Sequence, residues 1–417
     1  MKPADCPRFP FPRQDVPPDG RAPDEPLSLS SHYEGLPPVT RVVLPEGQEA
    51  FLVTGYAECS RVLREQGTFQ RADADAIPPF PRTAPSMLAR DGDDHRLQRD
   101  LVGNAFAPAR IGRYRPAVEK LTTRLVDALL AAREPVEIND RLAMPLTLSV
   151  MGGGVLGIPE DDLPQFRTWG DLFLSTGPDR DADHERAVRE MGAYMGTRLA
   201  RLMADPNTDS ADGNLLDVIA ANAVRSQVGL EDTAVLAAGL VIAGWETTAA
   251  AISSFLFRLL TTTGKDGETL YTLLGRHPDS IPGAVEELLR TTPGTIFDSA
   301  QPRRAVSATD LGGVRVREGD LLIPAIDRAN RDPGKFGAPD QLDFQRPRNA
   351  HLSFGTGPHV CLGAPLARLE LCVVLEQLTR RIPEARLSHS RDEVVWNDIT
   401  IIRRPAELWL DLAPVHA

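Results

Sequence analysis

The amino-acid sequence predicts a mainly α-helical protein with a minor β component. Long segments place apolar residues at the three- and four-residue spacing of an amphipathic helix. Runs with two-residue alternation are few and short, and they lie before residue 56 and after residue 311. The pattern does not alternate strand with helix, and it contains no internal repeat. A parallel α/β sheet and a solenoid are therefore not expected.

The chain has 417 residues, enough for one large core or for two closely packed lobes. Residues 1–37 are rich in Pro, Asp and Ser, which predicts a loosely packed lead-in. No later stretch looks like a linker, so residues 38–417 are expected to form a single domain. The content of 42% hydrophobic and 25% charged residues is that of an ordinary soluble globular protein.

The chain is acidic, with a net charge of -12 and a pI near 5.2. A broad nucleic-acid surface needs concentrated Lys and Arg, so we expect no nucleic-acid partner. The first twenty residues hold no apolar segment of the kind found in secretory signals. We therefore expect a cytoplasmic protein.

Three regions carry strand patterns. Residues 40–55 alternate about a Pro-Glu-Gly turn and predict a hairpin, residues 312–324 again show two runs about a turn, and residues 406–414 predict a last strand. Residues 69–86 are rich in proline and without period, which predicts a loop.

Helical periodicity is strongest in five segments, residues 113–132, 163–175, 184–204, 233–260 and 363–380. The fourth is apolar enough to be considered as a membrane span. Glu246 falls near its middle, however, and an acid at mid-membrane costs about 2.5–3.5 kcal/mol on insertion scales. We predict instead a long helix through the centre of the protein, and no membrane association.

The stretch FGTGPHVCLG places Cys361 directly before the last predicted helix. The chain has four cysteines and no CxxC pair, which argues against disulfides and against a thiolate zinc site in a reducing compartment. Glycines at 355, 357 and 363 allow the backbone to curl around the sulfur, and the start of a helix favours a thiolate. Two interpretations remain open from the loop itself, a buried cysteine at a helix start and an axial thiolate ligand of a haem iron.

Four motifs together resemble the cytochrome P450 family. Phe354, Gly357, Cys361 and Gly363 fit the FxxGxxxCxG haem loop. The central helix contains AGWETT, which is similar to the family's (A/G)Gx(D/E)T(T) motif, and EELLR supplies an ExxR pair. A segment before the haem loop is similar to the family's meander. The resemblance extends from about residue 30 to residue 412, and the ion-pair network that it implies consists of Glu287, Arg290 and Arg346.

The resemblance implies the cytochrome P450 fold, a triangular α-rich prism with small β-sheets, and haem b as cofactor. Cys361 would be the metal ligand. His95 and Arg99 match the family's HxxxR pair for the haem propionates, and Arg303 and His359 would complete the propionate partners. The cofactor-binding set is thus His95, Arg99, Ala243, Gly244, Arg303, Phe354, Gly355, His359, Cys361 and Gly363.

Glu246 and Thr247 are the predicted catalytic acid and alcohol. Reductive splitting of dioxygen consumes two protons in a site that otherwise excludes water, so a hydroxyl and a carboxyl relay are useful there. Ala243 and Gly244 are small and leave room beside the helix. Trp245 departs from the pattern by its size, and it either narrows the pocket or packs against the next helix.

The resemblance also places the substrate pocket. Leu172 and Phe173 lie in a helical part of its expected lining, and the apolar character predicts a lipophilic or aromatic small molecule. Asp298 is the one acid in the set, facing either a substrate or solvent. The predicted lining is Ile77, Phe80, Ile296, Phe297, Asp298 and Ile401.

The chain contains neither a GxGxxG fingerprint nor a cysteine cluster for an iron–sulfur centre, so separate electron carriers are implied. The family suggests a ferredoxin and a ferredoxin reductase, with docking near Arg96, Arg110, Arg113 and Arg368.

The expected activity is that of a haem-thiolate monooxygenase, which inserts one atom of O2 into a small molecule, as a tailoring step in secondary metabolism. The alternatives are oxidative C–C or C–O coupling without oxygen insertion and, in another class, a haem gas-sensing protein.

Overall fold

A computed structural model describes most of the chain. The described residues are 7–8, 27, 29, 31–44, 47–71, 87–132, 135–175, 179–205, 213–294, 302–397 and 400–412. Most of the predicted lead-in, residues 1–37, lies outside them.

The described residues are mainly helical, and the predicted fold class is confirmed. Each of the five strongly periodic segments is a helix whose ends lie within four residues of the predicted limits. Helices form where apolar side chains at helical spacing can be buried on one side. The helices are α1 (Tyr56–Arg64), α2 (Gly92–Val102), α3 (Pro108–Ile111), α4 (Arg115–Ala131), α5 (Met144–Leu148), α6 (Leu163–Phe173), α7 (Arg180–Ala204), α8 (Leu215–Arg225), α9 (Leu230–Thr261), α10 (Leu270–Arg276), α11 (Ile281–Thr291), α12 (Ile326–Ala329) and α13 (Ala364–Arg381).

The β component of the described residues consists of three small sheets. Their strands are β1 (Val39–Val43), β2 (Glu49–Val53), β3 (Phe69–Arg71), β4 (Val136–Glu137), β5 (Arg303–Ala305), β6 (Thr309–Leu311), β7 (Val314–Val316), β8 (Leu321–Pro324), β9 (Arg386–Leu387) and β10 (Trp409–Asp411). The strand orders are β1-β2-β8-β5-β3, β4-β10-β9 and β6-β7. The pair β2–β8 is parallel, whereas the other pairs are antiparallel.

The first predicted hairpin is confirmed as β1 and β2, and the last predicted strand as β10. The pairing expected within residues 312–324 is wrong. β7 pairs with β6 across Gly312 and Gly313, which both have positive φ, as a two-residue hairpin turn requires. β8 is buried along its whole length and joins the five-stranded sheet instead.

The predicted loop at residues 69–86 also needs correction at its start. Phe69–Arg71 is the edge strand β3, paired with β5. Three residues are too few to show the two-residue alternation of a strand. The pairing with β5, and not the local sequence, makes this segment a strand.

Helix α9 runs through the centre of the fold. Glu231 and Asp232 lie in its first turn and Arg258 in its last, the arrangement that complements the helix dipole. Among the described residues, α9 is the one helix whose length and composition would allow it to cross a membrane, and 67% of its most apolar window is buried in the protein. Its burial identifies it as the core helix that the sequence predicted.

Trp245 of α9 is fully buried and packs against α6. A Cβ atom at Gly170 would lie 2.5 Å from the Trp245 ring, so only glycine allows the two helices to approach this closely. Of the two roles considered for Trp245, packing against a neighbouring helix is therefore the one observed.

Candidate active site

The loop that carries Cys361 is shaped by two glycines. Gly355 and Gly357 have φ of +67° and +77°, in the left-handed region that favours glycine. A Cβ atom at Gly357 would also lie 2.7 Å from the Cα of Arg64 in α1, so the loop packs directly on that helix. The Cys361 N–H donates to the Phe354 carbonyl over 2.8 Å. This turn presents the thiol at the start of α13.

The Cys361 side chain faces a cavity. Burial raises the pKa of the Cys361 thiol, whereas hydrogen bonds from the backbone N–H groups of Gly363 and Ala364 and the charge of Arg99 lower it. The hydrogen bonds at the helix start thus lower the pKa of the thiol by less than burial raises it. A coordinated metal ion deprotonates such a thiol outright, so the donor set fits an iron ligand.

Two cavities meet between α9 on one side and the Cys361 loop with α13 on the other. Their volumes are about 220 and 280 Å³. The first contains Cys361, and both are bordered by the hydroxyl-bearing side chain of Thr247. We call this joined space the central cleft. The residues that border both of its parts are Thr247, Thr248, Phe354 and Ala367.

The predicted acid and alcohol face different surroundings. Thr247 is exposed to the cleft, and its Oγ1 donates to the Ala243 carbonyl over 2.8 Å. Glu246 is 1% exposed and borders neither part of the cleft. Its Oε1 accepts from Nε of Arg404 over 3.2 Å, while its Oε2 has no hydrogen-bond partner among the described residues. Burial raises the pKa of Glu246, and the nearby Arg404 opposes that rise.

Buried cations gather beside the cleft. Arg71 and Arg303 lie directly opposite each other on β3 and β5. Burial lowers the pKa of Arg303 to about 10, and burial followed by the charge of Arg303 lowers the pKa of Arg71 well below its usual value. Like charges directly opposite each other destabilise a sheet, so this pair requires anions. Asp91 is the acid whose charge acts on both.

Two histidines extend this group of hydrogen-bond donors into the cleft, and burial lowers the pKa of both, that of His95 to about 4. The rings of His95 and His359 lie 4.0 Å apart between centroids, and both residues border the cleft. His359 Nε2 lies 2.8 Å from Oδ1 of Asp91. Arg99, one turn after His95, donates from Nη1 to the Val360 carbonyl over 2.9 Å.

The residues present fit haem b. One carboxylate, Asp91, faces two arginines and two histidines, and the buried Nε of Arg71 has no hydrogen-bond partner among the described residues. Two propionates would supply the missing negative charge and accept charge-assisted hydrogen bonds. A thiol on one wall of the same cleft would supply the iron ligand.

The structure brings the predicted Glu-Arg-Arg network together. Arg290 donates to both carboxylate oxygens of Glu287 over 2.8 and 2.7 Å, with both side chains fully buried. Arg346 Nε lies 3.0 Å from Oε1 of Glu287, and Asn349 donates to Oε2 over 3.0 Å. The network ties α11 to the segment that leads into the Cys361 loop.

Three of the predicted substrate-pocket residues, Ile401, Leu172 and Phe173, lie among the described residues. Ile401 is partly buried and packs on the core, while its neighbours Ile402 and Arg403 border the cleft. Leu172 and Phe173 also pack on the core and do not border the cleft. The other five predicted residues lie outside the described ones: Ile77, Phe80, Ile296, Phe297 and Asp298.

Sequence reasoning missed three charged residues of this region. Arg71 stood in a predicted loop, and its role depends on strand pairing that the sequence does not show. Arg404 reaches Glu246 from 158 positions away. Asp91 carried a usable signal, since it directly precedes the helix that contains His95 and Arg99.

Comparison with known proteins identifies the family. The family model described as cytochrome P450 matches residues 281–382. The chain is 36% identical to mycinamicin IV hydroxylase/epoxidase of Micromonospora griseorubida, over 92% of this chain and 95% of that protein. It is 33% identical to nocardicin C N-oxygenase of Nocardia uniformis subsp. tsuyamanensis, over 92% of this chain and 96% of that protein.

Solved structures agree. The structure of HinD with NMFT and NO is 33% identical, covers 97% of this chain and 99% of its own, and superposes with a TM-score of 0.84. The LnmA cytochrome P450 hydroxylase of Streptomyces atroolivaceus has the same TM-score at 31% identity, with the same coverage of both chains. The chain belongs to the cytochrome P450 family. It is a bacterial-type P450 monooxygenase, an oxidoreductase whose cofactor is haem b.

Replacement of Cys361 tests its assignment as the iron ligand. The reduced wild-type protein with carbon monoxide should show a strongly red-shifted Soret band, because a thiolate ligand would donate electron density to the iron that a neutral ligand does not. Cys361→Ser should lose that band in the reduced carbon monoxide difference spectrum. Cys372→Ser, on the same loop-and-helix segment, should keep it, and retention of the band in Cys361→Ser would exclude this cysteine.

Removal of one buried cation tests the propionate site. Arg303→Ala should weaken haem retention, since breaking a buried charged pair on one side costs about 3–5 kcal/mol. The measurement is the rate of haem transfer to an excess of apomyoglobin. Arg304→Ala is the matched control, because Arg304 is the next residue of the same strand and donates to the Gly319 carbonyl at the surface. Equal haem retention in both variants would contradict the role of Arg303.

Proposed function

We propose that this cytochrome P450 oxygenates a small lipophilic or aromatic molecule, as a tailoring step of secondary metabolism in the cytoplasm. The observation that carries the proposal is the central cleft, in which the Cys361 thiol and the Thr247 hydroxyl border one space. The relatives named above act on mycinamicin IV and nocardicin C, which supports a secondary metabolite as substrate.

The lining of the cleft, which also has to hold the haem, supports an apolar ligand beside the cofactor. Around Thr247 and Thr248 the walls are formed largely by hydrocarbon side chains, and such walls bind ligands through the area that they remove from water. The apolar residues bordering its larger part are Ala250, Ala251, Phe255, Leu289, Ile326, Ala367, Leu371 and Ile402.

The bound haem supplies the activation of dioxygen at the expense of two electrons and two protons. The chain's own residues hold and move those protons. Thr247 Oγ1 donates to the Ala243 carbonyl, which leaves the oxygen lone pairs facing the cleft. Glu246, with its raised pKa, holds a proton more readily than an exposed glutamate. Rotation of Glu246 away from Arg404 would bring that proton towards Thr247.

Separate electron carriers complete the reaction. We infer a ferredoxin, reduced by a ferredoxin reductase, that docks where the Cys361 loop meets the surface. Val360 and Leu97 expose apolar side chains there, and Arg113 is an exposed cation just before α4. Arg96 of α2 is also exposed, but it forms an ion pair with Asp93. Arg368 is less available for docking than the sequence suggested, because it forms an ion pair with Glu286 over 2.6 Å.

A test of proton delivery distinguishes the role of Thr247 from that of the haem-binding residues. Thr247→Ala should fold, bind haem and bind substrate, yet release more hydrogen peroxide per NAD(P)H consumed, since the hydroxyl that faces the cleft is lost. Glu246→Gln should slow turnover by roughly 10²–10⁴-fold if the carboxyl acts as a general acid. The measurement is product formed per NAD(P)H consumed, with a substrate found by its shift of the Soret band.

Thr261→Ala is the matched control, because its hydroxyl makes the same bond to the carbonyl four residues earlier, at the far end of α9. Wild-type product should contain one atom from labelled dioxygen. Absence of the label would favour oxidative coupling, and absence of any product would favour a gas sensor. If Thr247→Ala and Glu246→Gln both form as much product per NAD(P)H as wild type, neither residue takes part in proton delivery.

Charge reversal tests the docking surface. Arg113→Glu should raise the KM for an acidic ferredoxin severalfold at low salt, and the difference should shrink with added salt, because exposed charges are screened over about 8 Å at physiological ionic strength. Arg317→Glu, in the connection between β7 and β8, should leave the KM unchanged. Equal salt dependence in the two variants would place the docking surface elsewhere.

A further inference from the structure

Glu286 of α11 is an acid that borders neither part of the central cleft. It directly precedes Glu287 in sequence but pairs with a different element. Arg368 of α13 donates to both of its carboxylate oxygens, from Nε to Oε1 over 2.6 Å and from Nη2 to Oε2 over 2.9 Å. A bidentate pair of this kind fixes the orientation of the guanidinium as well as its position. The two neighbouring acids thus hold opposite ends of the Cys361 loop, Glu287 the segment before it and Glu286 the helix after it.

His351 completes the surroundings of Glu286. Its side chain is 2% exposed, and its Nε2 lies 3.2 Å from Oε2 of Glu286. Its Nδ1 accepts from the backbone N–H of Ser353 over 3.2 Å, so the ring hydrogen is on Nε2, which donates to Glu286. Burial tends to raise the pKa of Glu286, but the hydrogen bonds from His351 and Arg368 lower it to about 2. The carboxylate therefore stays ionised and keeps Arg368 paired at neutral pH.

The Arg368 guanidinium lies over the ring of Phe354. Its Cζ is 4.6 Å from the ring centre, a distance at which the cation is attracted by the electron density of the aromatic face. Phe354 borders both parts of the central cleft, and its carbonyl accepts from the Cys361 N–H over 2.8 Å. The His351 ring lies on the same side chain, 6.0 Å away between centroids. The guanidinium thus covers a residue that both lines the haem cleft and bonds to the cysteine of the loop.

We propose that Glu286 and Arg368 are positioning residues of the haem-thiolate centre. Glu286 holds the Arg368 guanidinium on the Phe354 ring, and the held ring keeps the Cys361 loop in the shape that presents the thiol to the cleft. Both residues act through Phe354. The inference goes beyond the proposed function, because it requires the bound haem but neither a substrate nor an electron carrier.

Replacement of Arg368 by lysine tests the guanidinium itself, since lysine keeps the charge but loses the planar fork. In dilute urea the red-shifted Soret band of the reduced carbon monoxide complex should convert to the unshifted band severalfold faster in Arg368→Lys than in wild type, because a loosened loop releases the thiolate sooner. Glu286→Gln should do the same. A wild-type conversion rate in Arg368→Lys overturns the proposal.

Glu376→Gln is the matched control. Glu376 lies on α13 and forms an ion pair with Arg115 over 2.7 Å, with exposure comparable to that of the Glu286–Arg368 pair. This variant should keep the wild-type rate of conversion. A rate as fast as that of Glu286→Gln would mean that any surface ion pair on α13 has this effect, which contradicts a specific role for Glu286.

The reduction potential of the haem iron separates positioning from simple support of the fold. Arg368→Lys should raise the midpoint potential of the substrate-free protein, because water that reaches a loosened loop donates hydrogen bonds to the sulfur and weakens its electron donation. Glu376→Gln should leave the potential unchanged. A lower Tm with an unchanged potential in Arg368→Lys would overturn the proposal. Failure of the proposed function would appear elsewhere, as unlabelled product or as normal coupling in Thr247→Ala.

Double variants test whether Arg368 acts through Phe354. In a Phe354→Leu background, Arg368→Lys should change neither the conversion rate nor the potential further, because coupled residues are not additive. If Phe354→Leu does not retain haem, the combination of Glu286→Gln with Arg368→Lys takes its place and should be no worse than the more affected single variant. Additive effects in the cycle measured overturn the proposal.

Discussion

The carboxylate of Glu287 is the interaction on which the rest of the site depends. Four donors surround it: Arg290, Arg346, Asn349 and the backbone N–H of Asp343. Burial tends to raise its pKa, but the hydrogen bonds from these groups lower it, so the carboxylate stays ionised. A buried charge is tolerated only when it is paired in this way, and the pairing requires α11 and the segment before the Cys361 loop to be in place together. The thiol is thus positioned by an ion pair that never touches it.

Of the buried glutamates, Glu287, Glu246 and Glu370 differ most in their partners, and the partners set the direction in which each pKa is shifted. Glu287 has enough donors to remain charged and is structural. Glu246 has Arg404 on Oε1 and no partner on Oε2 among the described residues, and burial raises its pKa. Glu370 has no hydrogen-bond partner among the described residues, and burial raises its pKa well above the usual value. The same side chain therefore has a lowered pKa at one buried position and a raised pKa at two others, according to the partners around it.

Helices were far easier to predict than sheets. A helix such as α9 buries side chains along 32 residues, so its period and its central place in the core can be read from composition and spacing. The strands span two to five residues, and their order depends on partners far along the chain. β8 follows β7 in sequence yet pairs with β2 and β5, because its fully apolar side chains gain more from burial in the larger sheet than from a hairpin at the surface.

The sequence by itself determined the family, the haem loop with Cys361, the Glu287–Arg290 pair and the pairing of an acid with an alcohol on α9, because each motif has a fixed local spacing, and the resemblance that these motifs carry together supplied Arg346. Only the tertiary structure decided where those side chains point. It turned Glu246 towards Arg404, placed Arg71 opposite Arg303 and left Glu370 facing the cleft. Spacing along one helix determines which residues share a face, but burial and charge partners come from segments that are distant in sequence, and these set the protonation states on which the chemistry depends.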